Sequence, residues 1–260
     1  MKLLPNFIES RWRTILICSA IVVAVLVIYT CFFGEATMFA FEARYLNRND
    51  PSVWKTPVTL TEDAISPSPG RRLSYLGYEF EVPWTDLDEH HTKLFGTWQL
   101  IHFNSGISIV MRVRPPNADV SLFTDAGKND PELFRRNWGP DILVSDYAFT
   151  KAKLESNPAN VTLFTSRRDA VRELDLLLLK SILITAHDRP DCFFFVKTRD
   201  FRGFQYGNPR RRPHEVGDSL FGDGGSVDFE FRDPQSGPPI SQEEINRVIQ
   251  TVHPARPAKS

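Results

Sequence analysis

The feature that most constrains this chain is an uncharged run of twenty residues near the N-terminus, Thr14 to Phe33. The run contains no proline and no glycine. A helix of this length covers about 30 Å, the thickness of the hydrocarbon core of a bilayer. Tyr29 and Phe32 lie at its C-terminal end, where aromatic side chains favour the membrane–water interface. The run therefore predicts a transmembrane helix over residues 14–34, with the lipid bilayer as its partner.

Two other interpretations fit the run less well. The apolar core of a cleaved signal peptide has about 7–15 residues and is followed by small residues. Here the core is longer, and the segment Glu35 to Ala40 offers no convincing cleavage site. A buried core helix is rarely apolar on every side over several turns. A signal anchor that stays in the membrane is therefore the preferred interpretation.

The charges that flank the run predict its orientation. Lys2, Arg11 and Arg13 precede it, whereas the next basic residues, Arg44 and Arg48, follow at a distance and after two glutamates. Because cytoplasmic flanks are enriched in lysine and arginine, the N-terminus is expected in the cytoplasm. The sequence thus predicts a single-pass membrane protein with an extracytoplasmic C-terminal domain.

The charge balance excludes a general nucleic-acid binder. The chain has 31 basic residues (Lys and Arg) against 32 acidic residues, and 28 against 31 remain beyond residue 34. A nucleic-acid-binding surface needs an excess of basic residues to displace counterions from phosphates. Cys192 is the one cysteine beyond residue 34, so an intramolecular disulfide is excluded there.

Turn-forming residues divide the remainder of the chain. Asn47 to Pro51 and Ser66 to Gly70 are rich in residues that interrupt helices and strands. The predicted organisation is a cytoplasmic N-terminus (1–13), a transmembrane helix (14–34), a linker (35–70), an extracytoplasmic α+β domain (71–254) and a flexible tail (255–260).

Alternating apolar and polar residues predict the strands of the domain. Tyr78 to Val82 alternates with a period of two. A hairpin is expected over Thr97 to Val113, with its turn at Asn104 to Gly106. Three later segments complete the prediction: a strand over Cys192 to Tyr206 that bends at Gly203, a polar loop over Gly207 to Ser226, and a strand over Val227 to Arg232.

Helical periodicity and capping residues predict four helices. The last has the clearest signals, because Ser241 and Glu244 form a capping box that precedes an apolar stripe. The central helix, Ser166 to Ile184, has helical spacing, although its apolar run Leu176 to Leu179 also fits a buried strand. The other two helices are expected at Asp130 to Arg136 and at Ser145 to Leu154.

Together these elements predict an α+β fold in which a mostly antiparallel β-sheet is flanked by helices. Residues 73–253 resemble the PsbP-like family, named for an extrinsic protein of photosystem II. The resemblance lies in the opening Tyr78-x-Phe-x-Val-Pro83-Trp84, in the central helix that ends at Leu179-Lys180, in paired late strands and in the helix from Ser241. The family often has its tryptophan a few residues after the proline, whereas Trp84 follows directly. The resemblance implies an accessory or binding module more readily than an enzyme.

A basic cluster is the most distinctive polar feature. Three consecutive arginines between two prolines are expected to be extended and exposed, which suits bidentate contact with phosphate or carboxylate groups. The partner of such a cluster is an acidic protein or an anionic surface. A solvated loop without a ligand, balanced by Glu215 and Asp218, is the preferred interpretation, and anion binding is the alternative. The candidate anion-binding residues are Arg210, Arg211, Arg212 and His214.

Two further clusters carry weaker signals. Asp86 to Thr92 combines carboxylates with His90 and His91, but adjacent side chains diverge in a strand or a helix, so no metal site is predicted. His187 precedes Cys192, yet the spacing identifies neither a positioned base nor an oxyanion donor. Cys192 is expected to be a buried, inert thiol. No catalytic residue and no cofactor are predicted.

The sequence thus predicts a membrane-anchored extracytoplasmic binding or scaffold module. The alternative is a membrane-anchored hydrolase whose site residues are scattered along the chain. A pocket ringed by His102, His187 or pairs of acidic residues would favour the hydrolase. An anion sensor built on Arg210 to Arg212 is a third hypothesis.

Overall fold

The computed structural model describes residues 4–46, 48–60, 64–126, 138–139, 141–187, 189–209 and 215–255, with the side chains of 4–18, 28–32, 46 and 123–126 outside the description. Its helices are α1 (Leu4–Leu46), α2 (Ala118–Ala126), α3 (Asp146–Glu155), α4 (Arg167–Ala186) and α5 (Gln242–Thr251). Short 3-10 helices are formed by Pro51–Trp54 and Pro158–Asn160. Its strands are β1 (Val58–Thr59), β2 (Arg71–Tyr75), β3 (Tyr78–Val82), β4 (Leu87–Phe95), β5 (Trp98–Phe103), β6 (Ser108–Arg114), β7 (Phe193–Lys197), β8 (Arg202–Tyr206), β9 (Glu215–Gly222), β10 (Gly225–Arg232) and β11 (His253–Pro254).

An eight-stranded sheet forms the centre of the fold, with the strand order β1-β7-β8-β9-β10-β6-β5-β4. Its neighbouring strands are antiparallel, apart from the parallel pair β1 and β7. A smaller antiparallel sheet has the order β11-β3-β2. The α+β fold with a mostly antiparallel sheet flanked by helices is therefore confirmed. The predicted hairpin is β5–β6, and Gly106 in its turn has a φ of 90°.

The small sheet and α5 cover one face of the central sheet. Ser241 and Glu244 form the predicted capping box at the start of α5. Trp84 Nε1 donates to Glu244 Oε1 at 3.0 Å, which ties this cap to the loop after β3. Ile245 and Val248 of α5 are fully buried in the apolar core between the layers. The capping box fixes where α5 begins, and the apolar stripe fixes which side of it faces the sheet.

The helices α1, α3 and α4 lie on the other face. Ala40 and Ala43 of α1 and Val53 are buried in one apolar cluster with Leu177 of α4 and Phe204 of β8. The short strand β1 pairs with β7 at the edge of the central sheet. Residues within 35–70, expected as a linker, therefore pack against the domain over part of their length.

Lys180 joins three segments on this face. Its side chain is fully buried, and Nζ donates to the carbonyl oxygens of Lys55 at 2.5 Å, Ser156 at 2.7 Å and Leu154 at 2.9 Å. Two turns earlier on α4, Glu173 Oε1 accepts a hydrogen bond from Ser156 Oγ at 2.9 Å. One helix face thus holds both the end of α3 and the chain that follows α1.

The prediction of one bent strand over Cys192 to Tyr206 is wrong. This segment is the hairpin β7–β8, because Thr198 and Phe201 close a turn between the strands. Thr198 N donates to Phe201 O at 2.9 Å, and Phe201 N donates to Thr198 Oγ1 at 3.0 Å. Gly203 does not form a bulge but lies in regular register opposite Val196.

The prediction of a polar loop over Gly207 to Ser226 is also wrong, because residues 215–222 form β9 inside the central sheet. Val216 and Leu220 point into the core on one face of β9, and Phe221 is buried on the other. Glycine and aspartate are depleted in strands, so their presence between these apolar residues hides the strand pattern.

Three smaller predictions have different outcomes. Asp86 to Thr92, the segment that combines carboxylates with His90 and His91, lies largely in the edge strand β4, whose register against β5 shifts between Asp88 and Lys93. The strand alternative for Leu176 to Leu179 is wrong, since α4 is helical throughout. The helix expected at Asp130 to Arg136 lies outside the described residues.

The helix α1 contains the uncharged run of the N-terminal region. Among the described residues, none of the helices combines the length and the apolar character needed to cross a membrane. The transmembrane helix that the sequence predicts over residues 14–34 stays a prediction.

Gly203 provides a test of the central sheet. A Cβ at this position would lie 1.9 Å from the carbonyl oxygen of Ser219, so the backbone of β9 would have to move. We expect Gly203→Ala to lower the free energy of unfolding by about 3 kcal/mol, measured by urea denaturation. Gly224→Ala is the matched control, since nothing lies within 4 Å of its Cβ. Equal stability of the two variants would contradict the β8–β9 packing.

Candidate functional site

A polar cavity of about 220 Å³ lies on the face of the central sheet that carries α4. Strand alternation places it there: Arg112 and Arg114 of β6 share a face with Asp228 and Glu230 of β10, and Asp228 lies opposite Arg112 in the register. Side chains from α2, α3 and α4 close the other sides. The charged residues on this face of β6 and β10 line the cavity.

Arg114 forms the central ion pairs of the cavity. Its Nη1 donates to Asp119 Oδ1 at 2.7 Å, and its Nε and Nη2 lie 3.0 and 3.1 Å from the two oxygens of Asp228. Burial alone would lower the pKa of Arg114, but Asp228 and Asp119 raise it above its ordinary value. Arg114 is therefore paired with two carboxylates of the protein itself, through hydrogen bonds from Nη1 and Nη2, while its Nε has no hydrogen-bond partner of good geometry. It serves as a fixed structural charge.

Lys153 is the less well paired cation of the cavity. Its side chain is 9% exposed, and Nζ lies 3.9 Å from Asp119 Oδ2, which is beyond hydrogen-bond distance. Nζ also lies 4.4 Å from the ring centre of Phe149. Burial lowers the pKa of Lys153, the charge of Asp119 opposes this shift, and Arg114 adds to it. Among the charged groups lining the cavity, Lys153 has most to gain from a bound anion.

His187 caps the C-terminus of α4 and presents its imidazole to the cavity. The ring stacks on Tyr206, with centroids 4.2 Å apart and an interplanar angle of 5°. Gly217 makes this possible, because a Cβ there would lie 2.9 Å from His187 Nδ1. Burial lowers the pKa of His187, with Asp228 and Glu230 acting in the opposite direction. Burial thus favours the neutral imidazole, which can donate one N–H hydrogen bond and accept a proton at its other nitrogen.

Tyr206 and Ser219 complete this wall of the cavity. Burial raises the pKa of the Tyr206 phenol above its ordinary value, and a hydrogen bond with Ser219 acts against the shift. The phenol is therefore protonated at any physiological pH. Tyr206 offers a hydroxyl group and a flat ring to the cavity, but no charge.

The structure describes only some of the residues that the sequence singles out. Arg210, Arg211, Arg212 and His214 lie outside the described residues. His102 lies on β5 with its ring 5.8 Å from that of His91, and Cys192 Sγ donates to Asp191 Oδ1 at 3.1 Å; neither His102 nor Cys192 lines the cavity. Among the candidates that the structure describes, only His187 lines the cavity.

The acidic and histidine cluster at Asp86 to Thr92 has a local structural role. Asp88 accepts hydrogen bonds from the backbone N–H groups of His90 and His91 and lies 2.6 Å from His91 Nδ1. These bonds, first of all the one to the His91 side chain, lower the pKa of Asp88. Across the described part of the chain, no group of three or more His, Cys, Asp or Glu side chains is arranged to hold a metal ion.

Sequence reasoning missed Lys153, Asp228 and Tyr206 as neighbours. Their elements are separated by long stretches of chain, and only the strand order of the central sheet brings them together. The available signal was the alternation of charges along β6 and β10, where opposite charges at paired positions indicate a shared polar face.

No protein-family model matches this sequence, and no curated protein or solved structure shows significant similarity to it. The resemblance to the PsbP-like family therefore stays a prediction. What the chain does has to be inferred from the chemistry of the cavity and from the surfaces around it.

The burial of His187 predicts a pH dependence of stability. Its folded-state pKa lies below the unfolded-state value, so the unfolded chain binds more protons in the window below about pH 6.5. The free energy of unfolding therefore falls as the pH falls through that window. We expect His187→Gln to weaken this dependence in urea titrations at several pH values. His90→Gln, at an exposed position on β4, should keep it; a His187→Gln variant with the wild-type pH dependence would contradict the burial of the neutral ring.

Proposed function

We propose that this chain is a single-pass membrane-anchored binding protein whose extracytoplasmic domain takes a small anionic ligand in the polar cavity. The observation that carries the ligand class is Lys153, a buried ammonium group that borders the cavity without a carboxylate in hydrogen-bond distance. A buried charge is costly unless it is paired and hydrogen-bonded. A carboxylate or phosphate group in the cavity would supply that partner.

The remaining groups define what else the ligand would meet. Arg112, about half exposed at the rim, adds a second cation, and its link to Glu230 is long at 3.5 Å. His187 and Tyr206 add neutral hydrogen-bonding groups. The volume is below the range of about 300–1,000 Å³ usual for drug-sized ligands, so the ligand has few non-hydrogen atoms. A small acid with one or two hydroxyl groups fits this description.

The anchoring part of the proposal is supported by the uncharged run and by the exposure of the helix that contains it. The helix α1 has 43 residues, which is about 65 Å of length, more than twice the hydrocarbon core. Its large apolar side chains at Ile21, Val22, Val23, Val25 and Val27 are 55–58% exposed. Such a continuous apolar surface is costly in water and favourable in lipid.

A hydrolase is the second candidate. The observation that favours it is the neutral imidazole of His187 in the same cavity as Asp228 and Glu230, since a neutral histidine is a suitable general base. Small ester and phosphoester substrates would discriminate the two functions. Turnover that is lost in His187→Gln indicates the hydrolase, whereas binding without turnover indicates the binding protein.

A docking role for the basic cluster belongs to the same proposal. Arg210, Arg211, Arg212 and His214 would contact an acidic protein or an anionic surface. Acidic residues outnumber basic residues beyond residue 34, so the positive charge of this cluster is local. An anionic partner would therefore be attracted by the cluster and not by the net charge of the domain.

Lys153→Met tests the ligand class. Methionine fills the space beside Phe149, while Asp119 keeps Arg114 as its partner. We expect inorganic phosphate or one of a set of small carboxylic acids to raise the melting temperature of the wild-type chain. We expect Lys153→Met to weaken that binding at least tenfold in calorimetry, the loss of one charge-assisted hydrogen bond.

The matched control for this experiment is Lys151→Met, on the same helix but facing solvent, where Lys151 pairs with Glu155. This variant should bind like the wild type. Absence of any stabilising anion, or equal binding by Lys153→Met, would overturn the proposed ligand class.

Limited proteolysis tests the anchor and its orientation. In sealed vesicles of the host membrane that expose the extracytoplasmic side, added protease should digest the domain beyond residue 34. Vesicles of the opposite orientation should protect it. Release of the intact chain by alkaline carbonate would contradict the anchor, and protection in the opposite sense would contradict the orientation.

A further inference from the structure

The loop before α4 carries the most exposed large apolar side chain in the described part of the chain. Phe164 is 88% exposed, and its neighbour Leu163 is also exposed. The loop is nevertheless ordered by its own hydrogen bonds: Thr162 N donates to Thr165 Oγ1 at 2.8 Å, and Thr165 Oγ1 donates to Asn160 O at 3.2 Å. The chain thus holds an aromatic side chain out from its surface.

Contacts to α1 fix the position of this loop relative to the proposed membrane span. The ring of Phe164 lies 6.4 Å from the ring of Phe33, the last residue of the uncharged run. Arg167 Nη1 lies 3.6 Å from Glu35 Oε1, and Glu35 is two residues beyond the end of that run. The loop therefore lies at the level where α1 would leave the bilayer.

The charges next to the loop match a lipid surface. Arg167 and Arg168 are both exposed in the first turn of α4, directly after the apolar tip. Aromatic rings favour the membrane–water interface, and arginine side chains bind lipid phosphates there. Along the chain, the apolar tip is followed by two arginines. Across a membrane interface, the apolar core is likewise followed by the layer of lipid phosphates, so the two patterns match.

An apolar groove continues this surface along α1. It has a volume of about 780 Å³ and lies between the loop and the residues of α1 that follow the uncharged run. Phe41 and Tyr45 form one wall, with Arg44 and Arg48 beside them. The exposed apolar surface is therefore continuous from the run, through the loop, to the second half of α1.

We propose that the loop Val161 to Thr165, with Arg167 and Arg168, lies on the surface of the membrane that α1 enters. Phe164 and Leu163 insert at the level of the headgroups, and the two arginines bind lipid phosphates. This second contact holds the domain against the bilayer. The inference rests on the anchoring by α1 that the proposed function includes.

Spin labels on the full chain test the contact. In a background in which Cys18, Cys31 and Cys192 are replaced by alanine, single nitroxides are attached at Phe164→Cys, Ile182→Cys and Val23→Cys. The chain is reconstituted into vesicles of phosphatidylcholine and phosphatidylglycerol, and power saturation with oxygen and with a water-soluble nickel complex gives the depth of each label. Ile182 is the matched control, because it is exposed on the same helix about 22 Å further along the axis than Arg167.

We expect the label at 23 to lie deep in the hydrocarbon, the label at 164 to lie at the phosphate level or below it, and the label at 182 to be aqueous. Replacing Arg167 and Arg168 together by glutamine should reduce the depth at 164 and leave that at 23 unchanged, whereas Arg199→Gln on the β7–β8 turn should change neither. A label at 164 as aqueous as that at 182, with 23 still deep, would overturn this inference alone. An aqueous label at 23 would overturn the anchor and this inference together.

Discussion

The buried ammonium group of Lys180 is the interaction on which the helical side of the molecule depends. It donates to three backbone carbonyls from two chain segments, the one after α1 and the end of α3, and no water is needed to satisfy it. Burial lowers the pKa of Lys180 to about 8, with Glu173 opposing the shift, so the group still carries its charge at neutral pH. Three carbonyls without this donor would be left unpaired in the interior.

The hydrogen bonds of Lys180 and Glu173 link the N-terminal helix to the part of the molecule that contains the cavity. Because Lys180 and Glu173 hold the chain after α1 and the end of α3 against α4, the buried part of α1 forms one body with the central sheet. The same α4 ends at His187 in the polar cavity and begins beside the Phe164 loop. A single helix therefore connects the proposed ligand site with the proposed membrane contact.

The elements that the sequence predicts correctly are those whose signals lie close together in the chain. The capping box at Ser241 and Glu244 and the hairpin with Gly106 were predictable, because their signals lie within a few residues of chain. Strand β9 is not predicted from the sequence, because Gly217 and Asp218 interrupt its alternation of apolar and polar residues. Asp218 is nevertheless fully buried, and burial raises the pKa of its carboxyl group well above the ordinary range. Contacts with residues distant in the chain determine which residue fits at such a position, and a periodic sequence pattern contains no information on these contacts.

The same limit explains the site. Lys180 belongs to the Leu179-Lys180 pair of the central helix, and a lysine in a helix is usually exposed to solvent. Only the positions of the Leu154 and Ser156 carbonyl groups show why this lysine is buried. The cavity, likewise, depends on β6 lying beside β10 in the strand order. Of the described residues that the sequence singled out, His187 alone lines the cavity.

Hydrogen–deuterium exchange of the full chain in lipid nanodiscs tests whether α1 serves both as the membrane anchor and as part of the domain core. We expect slow exchange across residues 14–33 in nanodiscs and equally slow exchange across residues 34–46, without a break at the lipid surface. Fast exchange across 14–33 would contradict the anchor. Fast exchange across 34–46 beside a protected central sheet would contradict the packing of α1 on the domain.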